Sequence, residues 1–512
     1  MQTFRISTPF VLAVFACSVA AQADEAPGLP ADAPVGMELV DRKDLERHAR
    51  YLASDELGGR YTTTAGQLAA AEYIASHFES LGLKPLGDKR SFVQHYPVVC
   101  SYLEAKQTKL RIAQRTFEVG FAVIPGKDTK RVSASGFVFA EHGAPESFPP
   151  GIGRGVPVIV ARTRAATERG AMTARRDLLK FGMVAKEAAD RGARALVVCL
   201  LEDDGGIADA LNYDALLPGK PILGYGNDGK EVDRPHPIPL VFVNREISTA
   251  LLDAMSVKVV GDGFESPRRA KASGRLDLAV KVDRRATATN VVAVLEGDSL
   301  AKEAVVFSAH MDHMGTRLDG DPFNGADDNA SGTSGLLEIA EAFAKASARP
   351  KRSVVFLAVS GEELGLWGSR YWSENPTWPL ARVVADINID MIGRDGDIAT
   401  GSRVSATPSH RHAMFSTLVQ DAARFASRLG LELTVGDKYY ARSDHYNFAE
   451  KGVPVVFFCD GEHVDYHRVT DHADKLDFPK MERIARLAYW TGRAVADSTE
   501  RPRVLGERSG WS

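Results

Sequence analysis

Three neighbouring stretches decide how this chain reads: EAVVFSAHMDH (303–313), NGADDNASG (324–332) and GLLEIAEAFAKA (335–346). The first is almost wholly apolar up to His310, as a strand buried on both faces should be. The last repeats its apolar residues at three- and four-residue spacing, which predicts a helix. Between them Asp327, Asp328 and Asn329 stand side by side among small residues. Taken alone, such a triplet is a turn or a helix N-cap.

The same alternation continues outward. NVVAVLEG (290–297), SVVFLAVSG (353–361), VVADINIDMIG (383–393) and VPVVFFCDG (453–461) are further strand candidates. Helical runs at 335–347, 363–373, 410–429 and 479–496 separate them. The pattern predicts an α/β fold with a mixed, mostly parallel sheet flanked by helices. Residues 40–86 read as two helices, the second ended by Gly82 and Pro85. From about 130 to 265 the signals change to short strands, turns and one helix, which predicts a smaller inserted α/β domain.

Sheets of this class hold their ligands beyond the carboxyl ends of the strands. His310 and Asp312 follow one strand, and Asp327 and Asp328 open the next helix. Glu362 and Glu363 follow the second strand, Asp390 the third, and Tyr466 and His467 the last. Each alone has an ordinary structural explanation: a hydrogen-bonded histidine, a helix-dipole acid, a turn. Imidazole and carboxylate donors recurring at successive strand exits are instead the ligand set of zinc. Two metals roughly 3.5–4 Å apart can share one carboxylate. Burying several acids without a cation would be costly.

With these residues in hand, the sequence resembles the M28 family of zinc-dependent exopeptidases, which includes secreted bacterial aminopeptidases. The matching stretches are SAHMDHMG (308–315), NGADDNASG (324–332), SGEELGLWGS (360–369), NIDMIGR (388–394), RSDHYNF (442–448) and DYHRVTD (465–471). The resemblance implies a zinc-exopeptidase, phosphorylase/hydrolase-like sheet. It implies that His310 and Asp390 bind one zinc, that Glu363 and His467 bind the other, and that Asp328 bridges both. Glu362 would be the general base, and Asp312 would orient His310 by a hydrogen bond. Tyr466 matches a tyrosine that stabilises the oxyanion in some relatives. Arg442 matches a contact to the product carboxylate, and Asp444 and His445 lie beside it as substrate-pocket candidates. Asp327 is expected to support its loop, His313 to be a neighbour of the site, and His463 and His472 to be solvated. YLASDELGGR and the helices at 44–87 look like the family's helical start, and 130–265 looks like a protease-associated domain.

The resulting division is a signal peptide at 1–23, an N-terminal part of the catalytic domain at 24–129, the insert at 130–265, the catalytic domain at 266–500 and a tail at 501–512. The first residues carry one cation, Arg5, a short apolar run, and Ala21-Gln22-Ala23 before Asp24. That is the pattern of an exported protein cut after Ala23, bound for the periplasm or the exterior. Cleavage before Cys17, to give a lipoprotein, fits less well because of Phe15. No membrane association is expected after cleavage. The formal charge of −4 gives no case for nucleic-acid binding. Removing Cys17 leaves Cys100, Cys199 and Cys459, an odd count that favours free thiols. The expected partner is a peptide substrate and the expected cofactor two zinc ions. A carboxypeptidase or dipeptidase, a glutaminyl cyclase and a receptor that has lost catalysis are the alternatives the same fold allows. Side-chain preference and oligomeric state have no signature in the sequence.

Overall fold

The computed structural model describes residues 29–511 apart from 128, 149–155, 163–170, 202–204, 262 and 268–269. The proposed signal peptide and Cys17 lie outside the described residues. The main sheet is built from β1 (Val93–Leu103), β2 (Thr287–Leu295), β3 (Leu300–His310), β4 (Arg352–Val359), β5 (Val383–Ile389), β6 (Arg403–Thr407), β7 (Glu432–Val435) and β8 (Val455–Cys459). Across the sheet the order is β7-β6-β8-β5-β3-β4-β2-β1. The four central strands β8, β5, β3 and β4 are mutually parallel. β2 and β6 join them antiparallel. The sheet is therefore mixed and parallel at its centre, with β4 and β5 buried along their whole lengths. Their largely apolar runs, broken by Arg352 and Ser353 in β4 and by Asp386 and Asn388 in β5, follow from having both faces covered.

One face is covered by α1 (Arg42–Leu52), α2 (Ala65–Ser80), α4 (Gly332–Lys345), α6 (Thr417–Arg428) and α7 (Phe478–Asp497). The other is covered by α5 (Trp367–Glu374) and the short helix His445–Ala449, through Trp372 and Phe448. In α4, Leu336, Leu337 and Ile339 are fully buried, each worth about 1.5–3 kcal/mol of transfer free energy. The Asp41 side chain caps α1 by accepting from the amides of Lys43 and Asp44. Asp477 caps α7 through Lys480 N, closing orphan donors at each helix start.

Two predicted helices are shorter in the structure. The run at 410–429 becomes helical only at Thr417, because its first part pairs with the chain's end: Thr417 N donates to Arg503 O at 2.9 Å and Leu505 N to Phe415 O at 2.7 Å. The run at 363–373 begins at Trp367, because Gly361, Gly365 and Leu366 have φ of 71°, 110° and 61°, left-handed values that no helix contains.

A second sheet contains Arg131–Phe139, Val158–Arg162, Leu196–Leu200 and Leu240–Val243. It also takes Lys109–Ile112 and Phe121–Ile124 from before this region and Lys271–Asp283 from after it. α3 (Gly205–Asp214) belongs to its helical layer. β1 pairs with β2 near its start and with Lys271–Asp283 at its end, so one strand runs from sheet to sheet. Cys199 and Cys459 are buried free thiols, and Cys100 is half-buried and free. Among the described residues no helix is long and apolar enough to cross a membrane.

Candidate metal centre

His310 is the last residue of β3 and Asp390 follows β5 directly. Parallel pairing of these strands places the two side chains together. His310 Nε2 lies 3.2 Å from Asp390 Oδ1 and 3.3 Å from Asp328 Oδ1. On the other side, His467 Nε2 lies 3.2 Å from Asp328 Oδ2 and 3.0 Å from Glu363 Oε2. The two oxygens of Asp328 thus face two different groups of donors. His313 joins the second group, with Nδ1 2.6 Å from Glu363 Oε1 and 3.8 Å from Asp328 Oδ2. The expectation that His313 is only a neighbour understates this contact, since it shares the Glu363 carboxylate with His467. The sequence signal was available: His313 follows His310 by three residues.

Asp328 lies in the wide turn Ala326–Ser331 ahead of α4, and its peptide bond to Asn329 is cis. The turn is fixed from below. Asp471 accepts from the amides of Asp327, at 3.0 Å, and Asp328, at 3.2 Å. Asp327 accepts from Gly393 N at 2.7 Å and faces His463 at 3.3 Å. Asp327 therefore ties the loop to the chain after β5. His463 is not solvated as expected: its side chain is 2% exposed because Asp327 holds it inward. His472 is exposed. The small residues have a steric reason, because a Cβ on Gly325 would stand 2.2 Å from Asp328 O and 2.4 Å from His313 Cδ2.

Asp312 contacts His310 differently from expectation. Its backbone carbonyl accepts from His310 Nδ1 at 3.2 Å, whereas its carboxylate is 3.8 Å away. The carboxylate instead accepts from Thr62 Oγ1 at 2.9 Å and from Glu362 N at 3.3 Å. Asp312 thereby fixes the backbone of the residue expected to act as base. Ser443 Oγ donates to Asp390 Oδ2 at 2.8 Å.

Glu362 lines a cleft with Asp328, Asp390, Arg442, Tyr466 and Phe457. Tyr466 stacks on His467 with ring centroids 3.9 Å apart, and Arg442 reaches its hydroxyl at 3.4 Å. Arg442 also pairs with Glu462. The structure does not bring Asp444 and His445 to this cleft. Both are fully buried, with the His445 ring stacked on Phe457 at 4.5 Å.

Sequence reading passed over Arg60. It is 1% exposed and donates to the carbonyls of Met311, Leu52, Asn324 and Gly325. It therefore binds the loop after β3 to the loop carrying Asp328. An arginine closing GGR was the only signal.

The electrostatics fit a cation. Burial opposes charge on His310 and His467, yet surrounding carboxylates raise both well above the ordinary imidazole range. Burial is the largest influence on Glu362 and pushes it well up, with Glu363 and Asp390 adding to the rise. His310, Asp328 and Asp390 form one group of donor atoms within 4.8 Å of one another, and His313, Asp328 and Glu363 form another. Nitrogen and carboxylate donors of this kind suit zinc.

Fold and site together define an α/β protein with a carboxylate- and imidazole-rich metal centre at its strand exits. Residues 290–491 match Peptidase family M28, which supports reading the chain as a zinc peptidase of that type. It is 30% identical over 221 residues to a probable zinc metalloprotease of Pyricularia oryzae, covering 40% of each chain. It is 25% identical over 356 residues to aminopeptidase YwaD of Bacillus subtilis, covering 67% of this chain and 66% of that one. The chain thus spans two fifths to two thirds of these relatives. The solved zinc aminopeptidase BSAP of Bacillus subtilis shares the fold, with a TM-score of 0.52 and 21% identity, over 90% of this chain and 96% of that one.

Proposed function

We propose that this protein is an exported aminopeptidase that holds two zinc ions and removes N-terminal residues from peptides. The observation that carries the reading is the division of the Asp328 carboxylate between two donor groups with Glu362 beside it. His310 and Asp390 would hold one ion, Glu363 and His467 the other, and Asp328 both. His467 is preferred to His313 because its Nε2 approaches both Asp328 and Glu363, whereas His313 approaches only Glu363 closely. When bound, the ions would supply Lewis acidity toward the scissile carbonyl and an acidified water.

Glu362 would take the proton of the attacking water as its oxygen bonds to the carbonyl carbon. It would return that proton to the leaving nitrogen as the carbon–nitrogen bond breaks. Its backbone is held for this by the Asp312 carboxylate. The Tyr466 hydroxyl would donate to the oxygen that gains charge, with Arg442 fixing its position. The cleft favours a free amino terminus. With Asp328 and Asp390 given to the ions, the acids left in the lining are Glu362 and Glu462, and Glu462 is paired with Arg442, so Glu362 is the group that would meet the amine. A positively charged amine is the complement of that lining.

We further infer that the second sheet is a protease-associated unit, which extends beyond the 130–265 bounds read from the sequence because Lys109–Ile112, Phe121–Ile124 and Lys271–Asp283 pair into it, and that the first 23 residues are an export signal. Arg442 favours the carboxypeptidase alternative, since a guanidinium at the rim suits a substrate carboxylate. Both readings are separated by assaying aminoacyl-p-nitroanilides and N-blocked peptides with and without chelator. The expected result is chelator-sensitive release from free-amine substrates alone. Glu362→Gln is expected to lower kcat by at least about 100-fold while leaving the zinc content unchanged. Surviving turnover in that variant would remove Glu362 from its role.

A further inference from the structure

A histidine that offers Nε2 to a cation must carry its proton on Nδ1, and the partner of that N–H fixes tautomer and ring orientation. For His310 the partner is its own loop, through the carbonyl of Asp312 at 3.2 Å. For His467 it comes from elsewhere. Tyr213 Oη lies 2.9 Å from His467 Nδ1, and Tyr213 stands in the last turn of α3, in the layer built on the second sheet. His467 needs such a partner. Its side chain is 23% exposed on a short polar loop, and its φ is 53°. Stacking by Tyr466 fixes the plane of the ring without choosing between its nitrogens.

α3 is seated against the loop that follows His313. Asn212 Nδ2 donates to Met314 O at 2.9 Å. Lys220, buried over the Tyr61 ring at 4.2 Å, donates to Asn212 O. Leu318 of that loop is buried in one apolar cluster with Ile207 and Leu211 of α3. The residue before Tyr213 is thus pinned to the residue after His313.

We propose that Tyr213 is a positioning residue for the metal centre: it accepts the Nδ1 proton of His467, so that the inserted layer completes the second metal site. The inference rests on the two-zinc reading above. It assigns the insert a part in metal binding that covering the cleft does not require.

The test strips the purified full chain and its Tyr213→Phe variant of metal and titrates each with zinc by calorimetry, then with cobalt by visible absorption. The wild type should take up two ions. The variant should bind one of them about 10- to 100-fold more weakly, the usual effect of losing an outer hydrogen-bond partner, and leave the other unchanged. Its cobalt spectrum should change, and excess zinc should restore kcat without altering KM. Equal zinc affinities and identical cobalt spectra would overturn the inference while leaving the two-zinc reading intact. A loss of activity that excess zinc does not restore, at unchanged affinity, would overturn it as well, by placing Tyr213 on the substrate. Uptake of fewer than two ions by the wild type would overturn the underlying reading and the inference with it. Tyr213 is half exposed, so removing its hydroxyl leaves the core untouched.

Discussion

Glu338 lies on α4 with no exposed surface, and its carboxyl accepts the amide of Asp41 at 3.0 Å. Burial, with Glu341 and Asp44 nearby, raises it from 4.5 to about 8. Below 4.5 the group is protonated whether the chain is folded or not. As pH rises from there to 8, the unfolded chain releases its proton and the folded chain keeps it. Stability is therefore lost across that window, by a total on the order of a few kcal/mol. Glu338→Gln should flatten this part of the profile. Urea unfolding at about pH 5 and about pH 8 measures it, and an unchanged slope in the variant would refute the assignment. At the same scale, Asp327 and Asp328 show what adjacency in sequence hides. One carboxylate is held by the amide of Gly393, the other meets imidazoles on both sides.

Among the elements, the segment Gly58-Gly59-Arg60 has the largest influence on the site for its length. All three residues have positive φ, and a Cβ on Gly59 would stand 2.2 Å from Gly315 O. The turn aims Arg60 inward, where its fork joins four carbonyls from the end of α1 and two loops. Burial lowers its guanidinium to about 10, well above neutral pH, so it remains charged. Arg60→Met would leave those carbonyls without their donor, at about 3–5 kcal/mol. Arg60→Lys should recover little, since one ammonium cannot reproduce the fork. Denaturant midpoints decide the matter: a shift under about 1 kcal/mol would show that the loops hold themselves.

Across the whole molecule, the two sheets are joined by more than the chain that connects them. β1 pairs with strands of both, and Leu318, 5% exposed, is buried among α3 residues. Leu318→Ala should cost about 2–5 kcal/mol and lower the midpoint of a single calorimetric transition. A variant that melts like the wild type would mean that the layers do not depend on this contact. The same seam carries Tyr213 to His467, so docking of the layers and geometry of the metal centre are one problem.

The apolar runs of β3, β4, β5 and β8 and the acids and imidazoles at their exits are legible in the linear sequence. Strand periodicity and donor type are local properties, and parallel strands bring their carboxyl ends to one edge of the sheet. The chain end that replaces the first part of the 410–429 helix and the burial of His463 by Asp327 have no local signal. Neither does the use of the Asp312 carbonyl in place of its carboxylate, because which atom of a residue meets a neighbour is set by loop conformation. Arg60 and Tyr213 lie 251 and 254 residues from the partners they hold, Met311 and His467. Their side chains look like ordinary surface arginine and tyrosine until packing removes the arginine from water and seats the helix that carries the tyrosine. Chain order fixes which groups this protein has for chemistry, and close packing of two sheets decides which of them are held in place to perform it.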